Sequence, residues 1–411
     1  MSVRVRPVVP LVGAAALMLA LAPGIGPAHG ATFNVDSTAD APDANPGNGK
    51  CAATLPPKCT LRAAIMEANA LAGTDTITVP SGTYPLTIKG QGEDEAATGD
   101  LDVKASLIIT GAGAKSTIVD ANGIDRAFHI LDPAWLTMSG ITVKNGNPGN
   151  ASGGGIRNSG TLTLARSVVT SNAAEGVINT SNGTLRITSS TVAKNADLGI
   201  FNLGSLRIVA STISDNGSGI RNHGPGQLVA IGITINGNGG NGLTTTGPFA
   251  SATLTNCTIS GNGVRGVHIQ GPQSVELTNV TVSGNAAGGA FRDSQGTLTL
   301  KNTVVANNPG GNCAGGITAS SYSLDSGATC GLAGAGDQSN ADPKLGPLAN
   351  NGGSTRTHAL ESGSPAIDTA DPAAPPGGCS YVDQRNSPRQ DIANVGTPGT
   401  QCDKGAFEFQ P

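Results

Sequence analysis

From Leu162 onward the chain repeats one arrangement of apolar and polar positions: apolar, any, apolar, two any, small or apolar, any, Ile or Val, two any, Asn. It reads Leu162, Leu164, Ser167, Val169, Asn172, then Leu185, Ile187, Ser190, Val192, Asn195, then Leu206, Ile208, Ser211, Ile213, Asn216. Later copies close at Asn238, Asn262, Asn285 and Asn308, and successive differences give spacings of 23, 21, 22, 24, 23 and 23 residues. Each Asn is followed by a Gly-rich turn and another short apolar run, as in Gly199-Ile200-Phe201-Asn202, Gly219-Ile220-Arg221-Asn222 and Gly266-Val267-His268-Ile269. Apolar positions two apart mark β-strands, and no copy sustains a helical period. Three short strands per repeat bury their apolar side only if each repeat stacks on the next. The predicted fold is all-β, a right-handed parallel β-helix of about 22–23 residues per turn.

The repeated Asn predicts a corner. Asn tolerates left-handed backbone angles better than most residues, and stacked amides hydrogen-bond from turn to turn. Cys257 shares a register slot with Ser167, Ser190, Ser211, Ile233, Val280 and Thr303, which predicts an inward, inert thiol. Looser strands precede the regular copies, at Thr76–Val79, Leu107–Ile109, Ser116–Val119 and Leu136–Val143. Before them, Thr60–Ala72 reads as the one helix, with Thr60 as N-cap and Leu61, Ile65 and Ala68 on one face. Laid across the first turn, it would block edge-to-edge aggregation.

Composition sharpens the picture. Of 411 residues 60 are Gly, while only 3% are aromatic and 13% charged, so Ser, Thr and Asn supply the polar surface. The net charge of -4, with no Lys/Arg cluster beyond the first residues, argues against a nucleic-acid partner. Arg4 and Arg6, the apolar run Val8–Ala22 and Ala28-His29-Gly30 read as a signal peptide over 1–30. No second apolar run has membrane length, so a secreted or cell-surface location is expected. Of seven cysteines, three neighbouring pairs are the preferred bridges, Cys51 with Cys59, Cys313 with Cys330 and Cys379 with Cys402, which leaves Cys257 free.

Both ends resemble known domains. Thr32-Phe33-Asn34-Val35, Thr38-Ala39-Asp40, Cys59-Thr60-Leu61-Arg62-Ala63-Ala64-Ile65 and Glu67-Ala68-Asn69-Ala70 resemble the CSLREA domain of bacterial and archaeal surface proteins. That domain's naming Glu is Ala63 here, so no role passes to it. The C-terminal segment resembles the choice-of-anchor Q domain through Asp342-Pro343, Asn351-Gly352-Gly353, Thr357-His358, Ser364-Pro365-Ala366-Ile367-Asp368, Asp383-Gln384-Arg385, Arg389 and Cys402-Asp403-Lys404-Gly405-Ala406-Phe407-Glu408. The middle resembles the pectin-lyase-like β-helix found between such ends. The resemblance implies a surface or secreted protein, and neither end brings a reaction with it. The chain divides into a signal peptide at 1–30, a CSLREA-like cap at 31–73, a β-helix at 74–310 and a loop-rich choice-of-anchor Q-like domain at 311–411.

Chemistry is sparse. β-Helix lyases, hydrolases and epimerases need paired carboxylates, or acidic Ca²⁺ ligands beside a basic residue, on one outer face. Between Leu136 and Asn308 the acids are Glu175, Asp197, Asp215, Glu276 and Asp293. Glu175, Asp197 and Asp215 lie near the Asn corner in successive turns and are the candidate ligands for a Ca²⁺ ion. Arg157, Arg221 and His268 share an outward slot with Ile178, Phe201, Thr244 and Phe291. With His223 nearby, Arg157, Phe201, Arg221 and His268 make a candidate ligand face for sugar rings and acidic groups. Asp368, Asp383, Asp403, Arg385 and His358 are read as fixing loops. These observations favour a non-catalytic module that binds glycan, matrix or neighbouring cells. The alternative is a polysaccharide lyase or glycoside hydrolase. No catalytic residue and no obligatory cofactor are assigned.

Overall fold

A computed structural model describes residues 30–54, 57–149, 153–293, 295–373, 378–389 and 402–410. The signal-peptide reading falls outside them, apart from Gly30. Three parallel sheets of 12, 12 and 10 strands run the length of a coil of about ten turns. Sheet 1 contains Thr161–Ala165 and Thr184–Thr188, sheet 2 contains Val168–Thr170 and Thr191–Ala193, and sheet 3 contains Val177–Asn179 and Leu198–Asn202. The chain visits sheets 1, 2 and 3 in that order in every turn. Pairing keeps the sequence register, as in Leu162 with Leu185, Leu185 with Leu206 and Val169 with Val192. Leu162, Leu185, Leu206, Ile187, Ile208 and Ile213 are buried in one continuous core.

The asparagine column stands at the corner between sheets 2 and 3. Asn195 donates from both its backbone N–H and its Nδ2 to Asn216 Oδ1, at 3.0 and 2.8 Å. Asn216 does the same to Asn238 Oδ1, both at 3.0 Å. The left-handed angle predicted for these residues belongs instead to the residue before each of them. Ser171, Lys194, Asp215 and Asn307 have φ of 57°, 58°, 57° and 59°, and Gly237, Gly261 and Gly284 fill the same place. The ladder Asn must keep its N–H aimed along the column, so the turn is made one residue earlier. Glycines follow because the next strand passes close to the amides. A Cβ on Gly199 would lie 2.7 Å from Asn216 Nδ2.

A second, shorter amide ladder stands between sheets 3 and 1. Asn158, Asn179 and Asn202 each donate from Nδ2 to the next Oδ1, at 2.7, 2.8 and 2.6 Å, ending on Asn222. Thr245 pairs with Asn222 in register and ends it. The slot shared with Cys257 carries hydroxyl bonds: Ser167 and Ser190 N–H groups donate to Ser190 and Ser211 Oγ, each at 3.1 Å. Cys257 itself is unbridged and fully buried, and burial pushes its thiol up to about 12.

The helix spans Leu61–Ala70, and Thr60 caps it by accepting from the Ala63 N–H at 3.0 Å. Its buried face includes Leu61, Ile65 and Ala68. Arg62 is also buried, with Nε 2.5 Å from Asp40 Oδ1 and Nη atoms 2.8 Å from the carbonyls of Ala96 and Gly99. Glu67 accepts from the N–H groups of Gly47 and Gly49. Thr32–Asn34 pairs with Thr74–Val79 as the first strand of sheet 1.

The coil runs past residue 310, where the sequence reading ends it. Cys313–Ala314, Ala319–Ser321 and Leu324–Asp325 extend sheets 3, 1 and 2. Gln338–Ser339 adds a last strand to sheet 2, and the described residues beyond it lie as a strap along the outside of that sheet. Gln384 Nε2 bonds Thr234 Oγ1 at 2.9 Å, and its Oε1 accepts from Thr258 Oγ1 at 2.6 Å. His358 Nδ1 donates to the Gly346 carbonyl at 2.7 Å, so its Nε2 accepts from Ser260 Oγ at 2.8 Å. Corner residues Asn256, Asn279 and Asn302 bond Val382, Ser380 and Gly378 of the strap. The structure bridges Cys51 to Cys59, Cys313 to Cys330 and Cys379 to Cys402.

Candidate functional site

The outer face of sheet 3 carries one in-register row. Asp102 pairs with His129, His129 with Arg157, Arg157 with Ile178 and Ile178 with Phe201. The row continues through Arg221, Thr244, His268 and Phe291. Parallel pairing sets neighbouring members about 4.8 Å apart, the scale of one pyranose ring. Alternation explains the outward direction: Ile156, Ile200, Ile220 and Val267, one residue earlier in each strand, are buried.

The sequence-predicted residues fall on this face. Arg157 and Phe201 are half-buried and Arg221 is exposed. His223 stands two residues beyond Arg221, and its ring meets Phe201 edge-on at 6.2 Å between centroids. His268 is more enclosed than an outward slot suggests, at 6% exposure. Arg265 covers it, with Nη1 3.1 Å from Nε2, and also stacks 3.8 Å over the Phe291 ring. Asp293 Oδ1 lies 3.5 Å from His268 Nε2. Burial first, then the Arg265 charge, hold the His268 pKa below its ordinary 6.5. A neutral imidazole beside a guanidinium can accept a proton or position an acidic sugar.

Glu175, Asp197 and Asp215 do not converge. Glu175 turns inward and accepts from the Gly153 N–H at 2.8 Å. Asp197 is exposed, and Asp215 accepts from its neighbour Ser214 Oγ at 2.9 Å. They stand at three different offsets from the ladder Asn: three residues after Asn172, two after Asn195 and one before Asn216. Asp215 lines a polar pocket with Thr191, Thr212 and Arg356 at the seam between sheet 2 and the strap. Among the described residues, the one trio of ligand-type side chains with atoms within 4.8 Å of one another is Asp94, Asp102 and His129. Burial raises the pKa of Asp102, partly countered by His129. Sequence reading missed this trio. Its signal is the pattern Leu101-Asp102-Val103 and Phe128-His129-Ile130, which continues the outward row backward.

The loop-fixing residues of the strap are drawn together. Arg385 Nε meets Asp383 Oδ2 at 2.8 Å, and Asp403 Oδ1 accepts from the Asp368 N–H at 2.9 Å. Arg389 lies 3.1 Å from Glu408 Oε2.

Comparison with known proteins agrees with the fold. Residues 152–309 match the family model described as a right handed beta helix region. The solved pectate lyase Pel9A is 16% identical, covers 93% of this chain and 98% of its own, and superposes with a TM-score of 0.54. The A-module of the Azotobacter vinelandii mannuronan C-5 epimerase AlgE4 is 18% identical over 68% of this chain and 90% of its own, with a TM-score of 0.39. No curated protein sequence matches the chain. The fold is a right-handed parallel β-helix, the fold of the solved pectate lyase.

Proposed function

We propose that this protein is an exported surface module that binds an acidic polysaccharide along the outer face of sheet 3 without cleaving it. The observation that carries this reading is the in-register row in which Arg157, Phe201, Arg221 and His268 stand one or two rungs of about 4.8 Å apart, with Ile178 and Thr244 between them. Guanidinium groups pair with carboxylates, and half-exposed rings take the apolar faces of sugars. The trio rich in carboxylates lies at the front end of the row, where His129 is the rung before Arg157. The CSLREA-like and choice-of-anchor Q-like ends support placement at the cell surface. Their motif residues have physical work in this chain: Arg62 and Glu67 build the cap, and Gln384 and Arg389 fasten the strap. Export is supported by three disulfides, which persist in oxidising compartments.

The enzymatic reading rests on one place, the Arg265, His268 and Asp293 group. A single experiment separates the two. The mature protein is offered to a glycan array, and bound acidic polysaccharides are then assayed for shortened or unsaturated products. Binding without products is expected, weakened at least about tenfold in the Phe201→Ala, Arg221→Ala double variant, on the scale of two lost contacts of about 1 kcal/mol each. Product formation that disappears in His268→Ala establishes the lyase or hydrolase reading instead.

A further inference from the structure

The front of the sheet 3 row holds a group that polysaccharide binding leaves unexplained. The Asp102 side chain is completely buried. Its Oδ2 accepts from the Ala96 N–H at 3.0 Å, while its Oδ1 has no hydrogen-bond partner. His129, the register partner one turn on, points Nδ1 at that oxygen from 3.4 Å, and this nitrogen too has no hydrogen-bond partner. Asp94, on the exposed loop ahead of the strand, brings Oδ1 to 3.5 Å from the same nitrogen. Nearby basic groups are engaged elsewhere: Arg126 with Asp100 at 2.7 Å and Lys104 with Glu95 at 2.5 Å.

These separations discriminate between two arrangements. An imidazolium bonded directly to the carboxylates would close to about 2.7–2.9 Å. Ligands about 2.0–2.1 Å from a tetrahedral zinc stand about 3.4 Å from one another. We propose that Asp102, His129 and Asp94 form a Zn²⁺ site, with water completing the tetrahedron. One imidazole nitrogen and two carboxylate oxygens suit zinc, whereas Ca²⁺ takes six to eight oxygens. The site is held from behind, since Arg62 grips the Ala96 and Gly99 carbonyls of the loop that carries Asp94. The ion ties that loop to the first turns of sheet 3.

The test is calorimetric titration of ZnCl₂ into tag-free, chelator-treated mature protein, with CaCl₂ and MgCl₂ in parallel. One Zn²⁺ per chain is expected, with Ca²⁺ and Mg²⁺ at least about a hundredfold weaker on ligand grounds. Asp94→Asn and His129→Gln should each weaken Zn²⁺ binding at least about tenfold. Asp94 is exposed, so Asp94→Asn reports on ligation without disturbing the core, and an unchanged circular dichroism spectrum verifies this. Wild-type protein that takes up no stoichiometric Zn²⁺, a preference for Ca²⁺, or undiminished Zn²⁺ binding in both variants overturns the proposal. None of these outcomes bears on glycan binding.

Discussion

Asn216 shows how much one side chain holds in a stacked coil. Its Oδ1 accepts from the N–H and Nδ2 of Asn195, and its Nδ2 donates to Val192 O and Asn238 Oδ1. Asn222 accepts only from Asn202 and donates to Gly226 O and Ser251 O. Buried groups left unpaired cost about 1–3 kcal/mol each, so Asn216→Val should lower the denaturation midpoint more than Asn222→Val. Backbone strain enters one residue earlier. Asp215→Val places a β-branched residue at φ 57°, at a cost of order 1–3 kcal/mol, whereas Asp215→Gly is tolerated there. Equal midpoints for the two Asn variants would contradict the ladder. The repeat made the column legible, because Asn spacing is a sequence property. Which residue turns left-handed was not legible, since either of two neighbours can make the corner and only the direction of the amide N–H decides.

At the scale of elements, the strap is the part that periodicity could not reveal. Its bonds to Thr234, Thr258 and Asn256 join residues separated by more than 100 positions, and its Gly- and Pro-rich sequence has no strand period. It buries acids against few bases. Desolvation raises Asp403 to about 6 and Glu408 to about 8, from ordinary values of 3.8 and 4.5. The folded chain therefore holds protons that the unfolded chain releases. The resulting stabilisation is full below pH 4, declines as pH rises, and is gone above about 8. Glu408→Gln keeps an acceptor for Arg389 and removes the charge. The midpoint of wild type minus that of Glu408→Gln should fall steadily from pH 5 to pH 8. A difference that stays flat or grows would contradict the raised Glu408 pKa. The helix was legible by contrast, because its cap and apolar face are local.

For the whole molecule, the proposed export would suit the architecture. Three bridges fasten the cap, the last turns and the strap, the places where the coil's own stacking runs out. N-terminal sequencing of exported protein should begin at Ala31, and a retained Met1 in a membrane fraction would oppose this. Among the described residues no helix is long and apolar enough to cross a membrane. The outward row of sheet 3 was legible from Arg157 to His268 because strict copies preserve register. Its front was not, because a long loop separates Pro85 from Leu101 and interrupts the count. Glu175, Asp197 and Asp215 do not converge because similar positions in successive turns diverge when their offsets from the corner differ.

The asparagine column also has a polarity. From Asn172 through Asn195, Asn216, Asn238, Asn262, Asn285, Asn308 and Asn312, every amide donates toward the C-terminal end, and the last donates to Asp325 Oδ1 at 2.6 Å. The N–H groups of Gly327 and Cys330 also point at that carboxylate. Aligned amides polarise one another, and an ionised carboxylate can only accept. Asp325 thus acts as a terminus that sets the sense of the entire row. No amide within it can rotate alone without facing a donor with a donor, so the column has one orientation and keeps it from end to end.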